Sequence, residues 1–258
     1  MMFEVEDLAV ASPATVSRCG MVYMEPEDYT LTLLVKSWIN TLPEKVGQNS
    51  FIKTTLQSLF DSYLTDGCYF VRKNCPELVI TVDNNLAQSC MRILDCFLTP
   101  YIEDDIKKVT KEMIETLSAQ IKQIFFFAFN WSIGATTTML GRDRFSNWIR
   151  EKIYIEKVNF PEGKSLYDLN FNTKTGEWES WFDTIDKYTV DTKISFNEIV
   201  VPTQDSIRMK ALAKMLILNG KHILMPGPIG TGKSVYINQL SFYEMPEEYQ
   251  TLKMTFSA

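Results

Sequence analysis

Histidine is nearly absent from this chain: among 258 residues His222 stands alone. The five cysteines, Cys19, Cys68, Cys75, Cys90 and Cys96, form no C-x-x-C pair. A metal site built on nitrogen and sulfur ligands is therefore not expected. An odd cysteine count without a signal-peptide pattern points to a reducing compartment rather than a disulfide scaffold. Basic excess is missing too. Lys and Arg number 26 against 32 Asp and Glu, a formal charge of −6. No surplus of cations exists to neutralise a nucleic-acid backbone, so nucleic acid is not an expected partner. Long apolar runs are also lacking. The strongest, Ile124 to Phe129 with Lys122 and Asn130 beside it, is far too short to span a bilayer. It reads as a buried helix segment, and no membrane partner is expected.

What is present is an ordinary globular balance, 45% hydrophobic and 22% charged, enough for one large or two modest domains. One stretch carries chemistry. Gly227-Pro228-Ile229-Gly230-Thr231-Gly232-Lys233-Ser234 fits G-x-x-x-x-G-K-[ST], the phosphate-binding P-loop. Lys221 to Pro226 before it reads as a short buried strand, and Ser234 to Leu240 as the first turns of a helix. The bland alternative, a glycine turn matching by chance, lacks that strand–loop–helix context. In such a loop glycines let backbone N–H groups turn toward nucleotide phosphates. Lys233 supplies a point charge, and the Ser234 hydroxyl takes a place on Mg²⁺. The helix N-terminus adds partial positive charge.

From the N-terminus, Met2 to Val5 and Gly20 to Met24 read as two short strands, the second closed by Glu25-Pro26. Two strands without partners make no stable sheet, so others of the same sheet are expected outside residues 1–26. Arg18, in the loop between them, is by composition alone a surface or ion-pairing arginine. Residues 27–156 read as an all-α subdomain of about five helices. Leu31, Leu34, Val35, Trp38, Ile39 and Leu42 form a stripe ended by Pro43. Phe51 to Tyr63 form another, with Gly67 as its expected stop. Leu86 to Phe97 precede Pro100; a long helix runs from Ile106 to Ala128; Phe145, Trp148 and Ile149 mark the last. Leu78 to Asp83 imitates a metal-binding strand, but it precedes the P-loop and has Asn84 where a catalytic Glu would often follow. Asp83 reads as a helix cap. Residues 157–195 lose the helical period and form a connector, with a possible hairpin at Asn172 to Gly176.

Residues 196–258 read as the opening of an α/β core. Val200-Val201-Pro202-Thr203 leads into a helix with Thr203 as N-cap, and Gly220 ends it. The P-loop follows, and Thr251 to Phe256 begins another strand. No later strand supplies a metal-binding Asp or a carboxylate to activate water, which phosphoryl transfer also needs. The chain is read as a fragment through two successive α/β domains. In isolation it is expected to show no ATPase activity.

These residues resemble a known family. Phe3 to Leu8 followed by Ser12-Pro13-Ala14-Thr15-Val16-Ser17-Arg18-Cys19-Gly20-Met21-Val22-Tyr23 resembles the end of the second AAA+ module of dynein heavy chains. Trp131-Ser132-Ile133-Gly134 is similar to a motif of that module's helical lid, and Val201-Pro202-Thr203 with Gly227 to Ser234 to the opening of the third module. The runs Cys19 to Pro26 and Gly227 to Ser234 look axonemal rather than cytoplasmic. The resemblance implies a fold of P-loop AAA+ type, a truncated α/β core at each end joined by an all-α lid and a connector. It implies that Arg18 acts as an arginine finger on ATP held by the preceding module. It implies that Gly227 to Ser234 hold ATP or ADP with Mg²⁺ on Ser234, while Val200, Val201, Pro202 and Thr203 line the adenine pocket. Glu6 lies where active modules carry a polar residue, usually Asn, that senses the γ-phosphate, so hydrolysis by the second module is in doubt. Implied partners are neighbouring AAA+ modules, microtubules, and dynein intermediate and light chains. Two other readings stay open on the residues alone: a non-motor tandem AAA+ remodelling ATPase, and a non-catalytic module whose P-loop holds nucleotide as structural glue.

Overall fold

A computed structural model describes residues 4–5, 7–22, 30–104, 108–185, 188–189 and 199–256. These fall into two compact units, residues 1–30 and 31–258.

In the first unit α1 is a single turn, Pro13–Val16, with the Ser12 side chain accepting from the Thr15 N–H at 3.2 Å. Proline at the first helical position suits this, since its missing N–H would have had no partner there. Met21 and Val22 are exposed and form no ladder. Glu4, Val5 and Gly20 form no ladder either, and Met2, Phe3, Tyr23 and Met24 lie outside the described residues.

The second unit is built on helices α2 (Leu31–Ile39), α3 (Glu44–Gln48), α4 (Ser50–Asn74), α5 (Asp83–Leu98), α6 (Lys111–Ile133) and α7 (Met139–Lys152). Helix α6 runs through the middle. From Ile124 to Ile133 every residue is buried, because α4 and α5 cover it on one side and the hairpin described below on the other. The Phe125 ring meets Phe60 edge-on at 5.0 Å, and Phe126 meets Tyr63 at 5.1 Å. Each such buried ring contributes about 1.5–3 kcal/mol from area alone. The apolar run too short for a membrane is thus the axis of a protein core. Helix α6 starts at Lys111, later than the stripe implies: Thr110 is its N-cap, accepting from the Met113 N–H at 3.3 Å. Ile106 lies outside the described residues.

Two expectations need correction here. Gly67 does not stop α4, which runs on to Asn74. A Cβ at Gly67 would press on the Phe129 ring, whose edge carbons Cε1 and Cε2 would lie 3.2 and 3.3 Å away. The glycine permits close helix packing rather than a turn. Asp83 is not a cap either. Val82 holds that position, and Asp83 is the first helical residue, paired with Arg72 at 2.7 Å. Arg72 also bonds Glu77 and the Thr81 carbonyl (2.9 Å), so one guanidinium pins the whole 77–83 loop.

Beyond α7 the chain forms an antiparallel hairpin, β1 (Leu169–Asn172) and β2 (Glu177–Ser180), with Leu169 opposite Ser180 and Asn172 opposite Glu177. Trp181 follows directly and meets Trp131 of α6 at 6.2 Å, edge-on. The hairpin pair is the one sheet among the described residues. Lys221–Pro226 and Thr251–Phe256, expected as strands, carry no ladder there. A strand needs a neighbour for its backbone hydrogen bonds, and none lies beside them. Helix α8 (Gln204–Leu218) and α9 (Lys233–Gln239) complete the unit.

Gly134 offers a test of the core. A Cβ there would run into the Tyr167 hydroxyl and the Phe145 ring. Gly134→Ala is expected to cost about 1–3 kcal/mol through overpacking and to lower the unfolding midpoint by several degrees. An unchanged midpoint in differential scanning calorimetry would contradict that packing.

Candidate nucleotide-binding site

Local sequence chemistry sets the entry to the site. The Thr203 hydroxyl accepts from the Ser206 N–H at 3.2 Å, and the Ser206 hydroxyl accepts from the Thr203 N–H at 2.8 Å. This reciprocal cap fixes where α8 begins and hence where Val200, Val201 and Pro202 lie. Pro202 borders an open cavity of about 660 Å³ that also touches Phe171, Trp181, Ile207 and Lys210. At its far end α8 stops through Gly220, whose φ is +67°, with the Lys221 N–H returning to the Leu216 carbonyl at 2.9 Å. Six residues later the glycine loop begins.

The loop from Gly227 to Gly232 is short and exposed, and it opens directly into α9. Gly230 (φ +82°) and Gly232 (φ +77°) take left-handed backbone that a side chain would strain. The Lys233 ammonium folds back over the loop, donating to the Pro228 carbonyl and, at 3.1 Å, to the Thr231 hydroxyl. A Cβ at Gly227 would stand 3.4 Å from the Lys233 Cδ, so the missing side chain leaves room for that path. Among the described residues no hydrogen bond takes the backbone N–H of Gly230, Thr231, Gly232, Lys233 or Ser234. Ser234 lies exposed in the first turn of α9. An ammonium and a set of unpaired N–H donors around one glycine curve fit an anion with several oxygens, such as a phosphate chain. The Ser234 hydroxyl is a hard oxygen donor, suited to a magnesium ion beside it.

Two sequence-derived groups are not joined to this loop. No hydrogen bond or ion pair among the described residues links residues 200–203 to residues 227–234. In the chain, α8 separates the two segments. Arg18 lies in the other unit, exposed, with its backbone N–H on the Thr15 carbonyl at 3.2 Å. Its guanidinium makes no ion pair among the described residues. Glu6 lies outside them.

Trp131 to Gly134 sit at the end of α6. Trp131 packs edge-on against Tyr167 at 5.2 Å and beneath the Arg208 guanidinium at 5.8 Å. Burial holds the Tyr167 phenol well above its ordinary pKa and pulls the neighbouring Arg142 down. This corner joins α6, α7, α8 and the turn before β1. Asp168 with Arg208, and Asp95 with Lys221, tie α8 and the residue after its stop to the turn before β1 and to α5, and no spacing in the sequence marks them.

Such a loop, with unpaired backbone donors and opening into a helix, defines a P-loop nucleotide-binding segment. Comparison with known proteins narrows the class. A family model described as the dynein heavy chain AAA lid domain matches residues 56–183, and one described as the P-loop containing dynein motor region matches residues 188–258. The chain belongs to the dynein heavy chain family. It is 36% identical over 277 aligned positions to dynein axonemal heavy chain 1 of Mus musculus, covering 100% of this chain and 6% of that protein. It is 33% identical over 235 positions to dynein axonemal heavy chain 2 of Homo sapiens, covering 91% of this chain and 5% of the relative. The chain thus spans about one-twentieth of the length of the relatives it matches. Fold class and family agree with what the motifs imply. The remodelling ATPase and the non-motor binding module are not favoured.

Proposed function

We propose that the chain is the joint between two successive AAA+ modules of an axonemal dynein heavy chain, carrying the nucleotide cradle of the later module and the arginine finger of the earlier. Residues 1–26 supply the last part of the earlier α/β core, residues 27–156 its helical lid, residues 157–195 a connector, and residues 196–258 the opening of the later core. Gly227, Gly230, Gly232, Lys233 and Ser234 hold the phosphates of ATP or ADP with Mg²⁺ on Ser234, and Val200, Val201, Pro202 and Thr203 line the adenine. The bound ion would neutralise phosphate charge; the chain's own part is to position phosphates on backbone donors and the Lys233 charge. Arg18 reaches nucleotide held by the module before it. In the whole heavy chain this joint couples nucleotide states around the ring during microtubule-based movement in a ciliary or flagellar axoneme, with intermediate and light chains attached.

The observation that carries this reading is the loop itself: two left-handed glycines, unpaired N–H groups and the Lys233 ammonium curled over them. Counting tightly bound nucleotide per full-length heavy chain, in wild type and Lys233→Ala, tests it. One fewer nucleotide in the variant is expected; equal occupancy would refute the assignment.

A further inference from the structure

Helix α8 connects the two halves of the proposed nucleotide site. Its N-terminal end carries residues 200–203, and its C-terminal end leads through Lys221 to the P-loop. Both ends are gripped by a carboxylate from the body it packs on. At the first end, Asp168, in the turn before β1, accepts from the Gln204 amide at 2.6 Å and pairs with Arg208 at 3.6 Å. Arg208 is buried, and it also donates to the Tyr167 carbonyl at 3.4 Å and pairs with Asp205. At the second end, Asp95 on α5 divides its two oxygens. One accepts from the Trp38 indole at 2.8 Å, inside the helical body; the other takes the Lys221 ammonium at 2.7 Å. From the middle of α8, Lys210 reaches Glu244 at 2.5 Å and Gln239 at 3.3 Å, at the far end of the P-loop helix. Any displacement of α8 therefore acts on the P-loop from both sides.

The geometry points to Asp95 and Asp168 as positioning residues that set nucleotide affinity at the P-loop, Asp95 by fixing the end of α8 to the helical body and Asp168 by fixing its start to the connector before β1. Neither touches the loop. Each acts through a cation or amide of α8 or of the residue just after its stop. The partners are two-thirds or more shielded on the cationic side, with side-chain exposures of 27% for Lys221 and 9% for Arg208, so the pairs are stronger than fully solvated ones. A shift of the helical body is felt at the cradle as a change in the relative placement of its two halves. This inference rests on the nucleotide reading of the P-loop.

The test uses the full-length heavy chain and a fluorescent ADP, with the signal of this loop defined as that lost on Lys233→Ala. Asp95→Asn and Asp168→Asn are each expected to weaken that component by about three- to tenfold. Lys221→Met, which leaves α5 untouched, is expected to match Asp95→Asn. Lys221→Arg keeps a cation there and is expected to stay within about twofold of wild type. If Lys233→Ala removes a nucleotide while Asp95→Asn, Asp168→Asn and Lys221→Met all bind within twofold of wild type, the clamp is overturned. A fall in unfolding midpoint without a change in affinity overturns it as well, since a merely structural pair would give that result. If Lys233→Ala removes nothing, the nucleotide reading fails first, and the result is distinguishable from failure of the clamp.

Discussion

In the full-length heavy chain, Lys233→Ala is expected to weaken nucleotide binding at the module that follows the lid by about 10- to 100-fold. A hydrogen bond to a charged group contributes about 1.5–3 kcal/mol, and the backbone donors left behind carry no net charge to balance the outer phosphates. The present position of the ammonium, over the loop on the Pro228 carbonyl and the Thr231 hydroxyl, shows that the side chain reaches across the glycine curve. Titration with a fluorescent nucleotide reads the loss. Because Lys233 is the first residue of α9 and partly exposed, its removal leaves the helical core intact, and the unfolding midpoint should hardly move. An affinity within twofold of wild type would mean that the loop turns without binding.

A larger effect is expected at the other end. Arg18→Ala should slow ATP hydrolysis at the preceding module by about 10³–10⁵, the range associated with a guanidinium that stabilises charge on a transferring phosphoryl group. Arg18 is free for such a role: it is exposed, follows a one-turn helix, and makes no ion pair among the described residues. Single-turnover hydrolysis by the full-length protein measures the step apart from product release. Arg18→Lys is the informative control, since a point charge without the planar fork should recover only part of the rate. Equal turnover in wild type and Arg18→Ala would assign the residue to the surface.

How far the sequence leads depends on the range of the interaction. Helices α2, α4, α5, α6 and α7 are legible because their apolar stripes record the side each turns to the core. The P-loop is legible because left-handed backbone and unpaired N–H groups demand glycine at fixed spacing, a requirement met within eight residues. Gly67 was misleading for the opposite reason. Its purpose is the Phe129 ring, 62 positions away in the chain, and nothing near it separates a packing glycine from a helix stop. Asp83 misleads likewise: it is the first helical residue, one place past the cap, and its carboxylate pairs with Arg72. The strand patterns at 221–226 and 251–256 are readable as patterns, yet a ladder exists only through neighbours that the described residues do not include. Asp95 with Lys221 and Asp168 with Gln204 are joined across 126 and 36 positions. Contacts of that span leave no periodic trace, so the ties that hold α8 and Lys221 to α5 and the turn before β1 appear only in three dimensions.

The most direct measurement is a structure of the full-length heavy chain with an ATP analogue and Mg²⁺. Nucleotide should lie with its phosphates in the curve of Gly227 to Gly232 and its base toward residues 200–203. The Lys233 ammonium should have left the Pro228 carbonyl for a phosphate oxygen, with the ion beside Ser234. Nucleotide in the other modules, with this loop bare and Lys233 still on Pro228, would contradict the assignment of the loop as a nucleotide site.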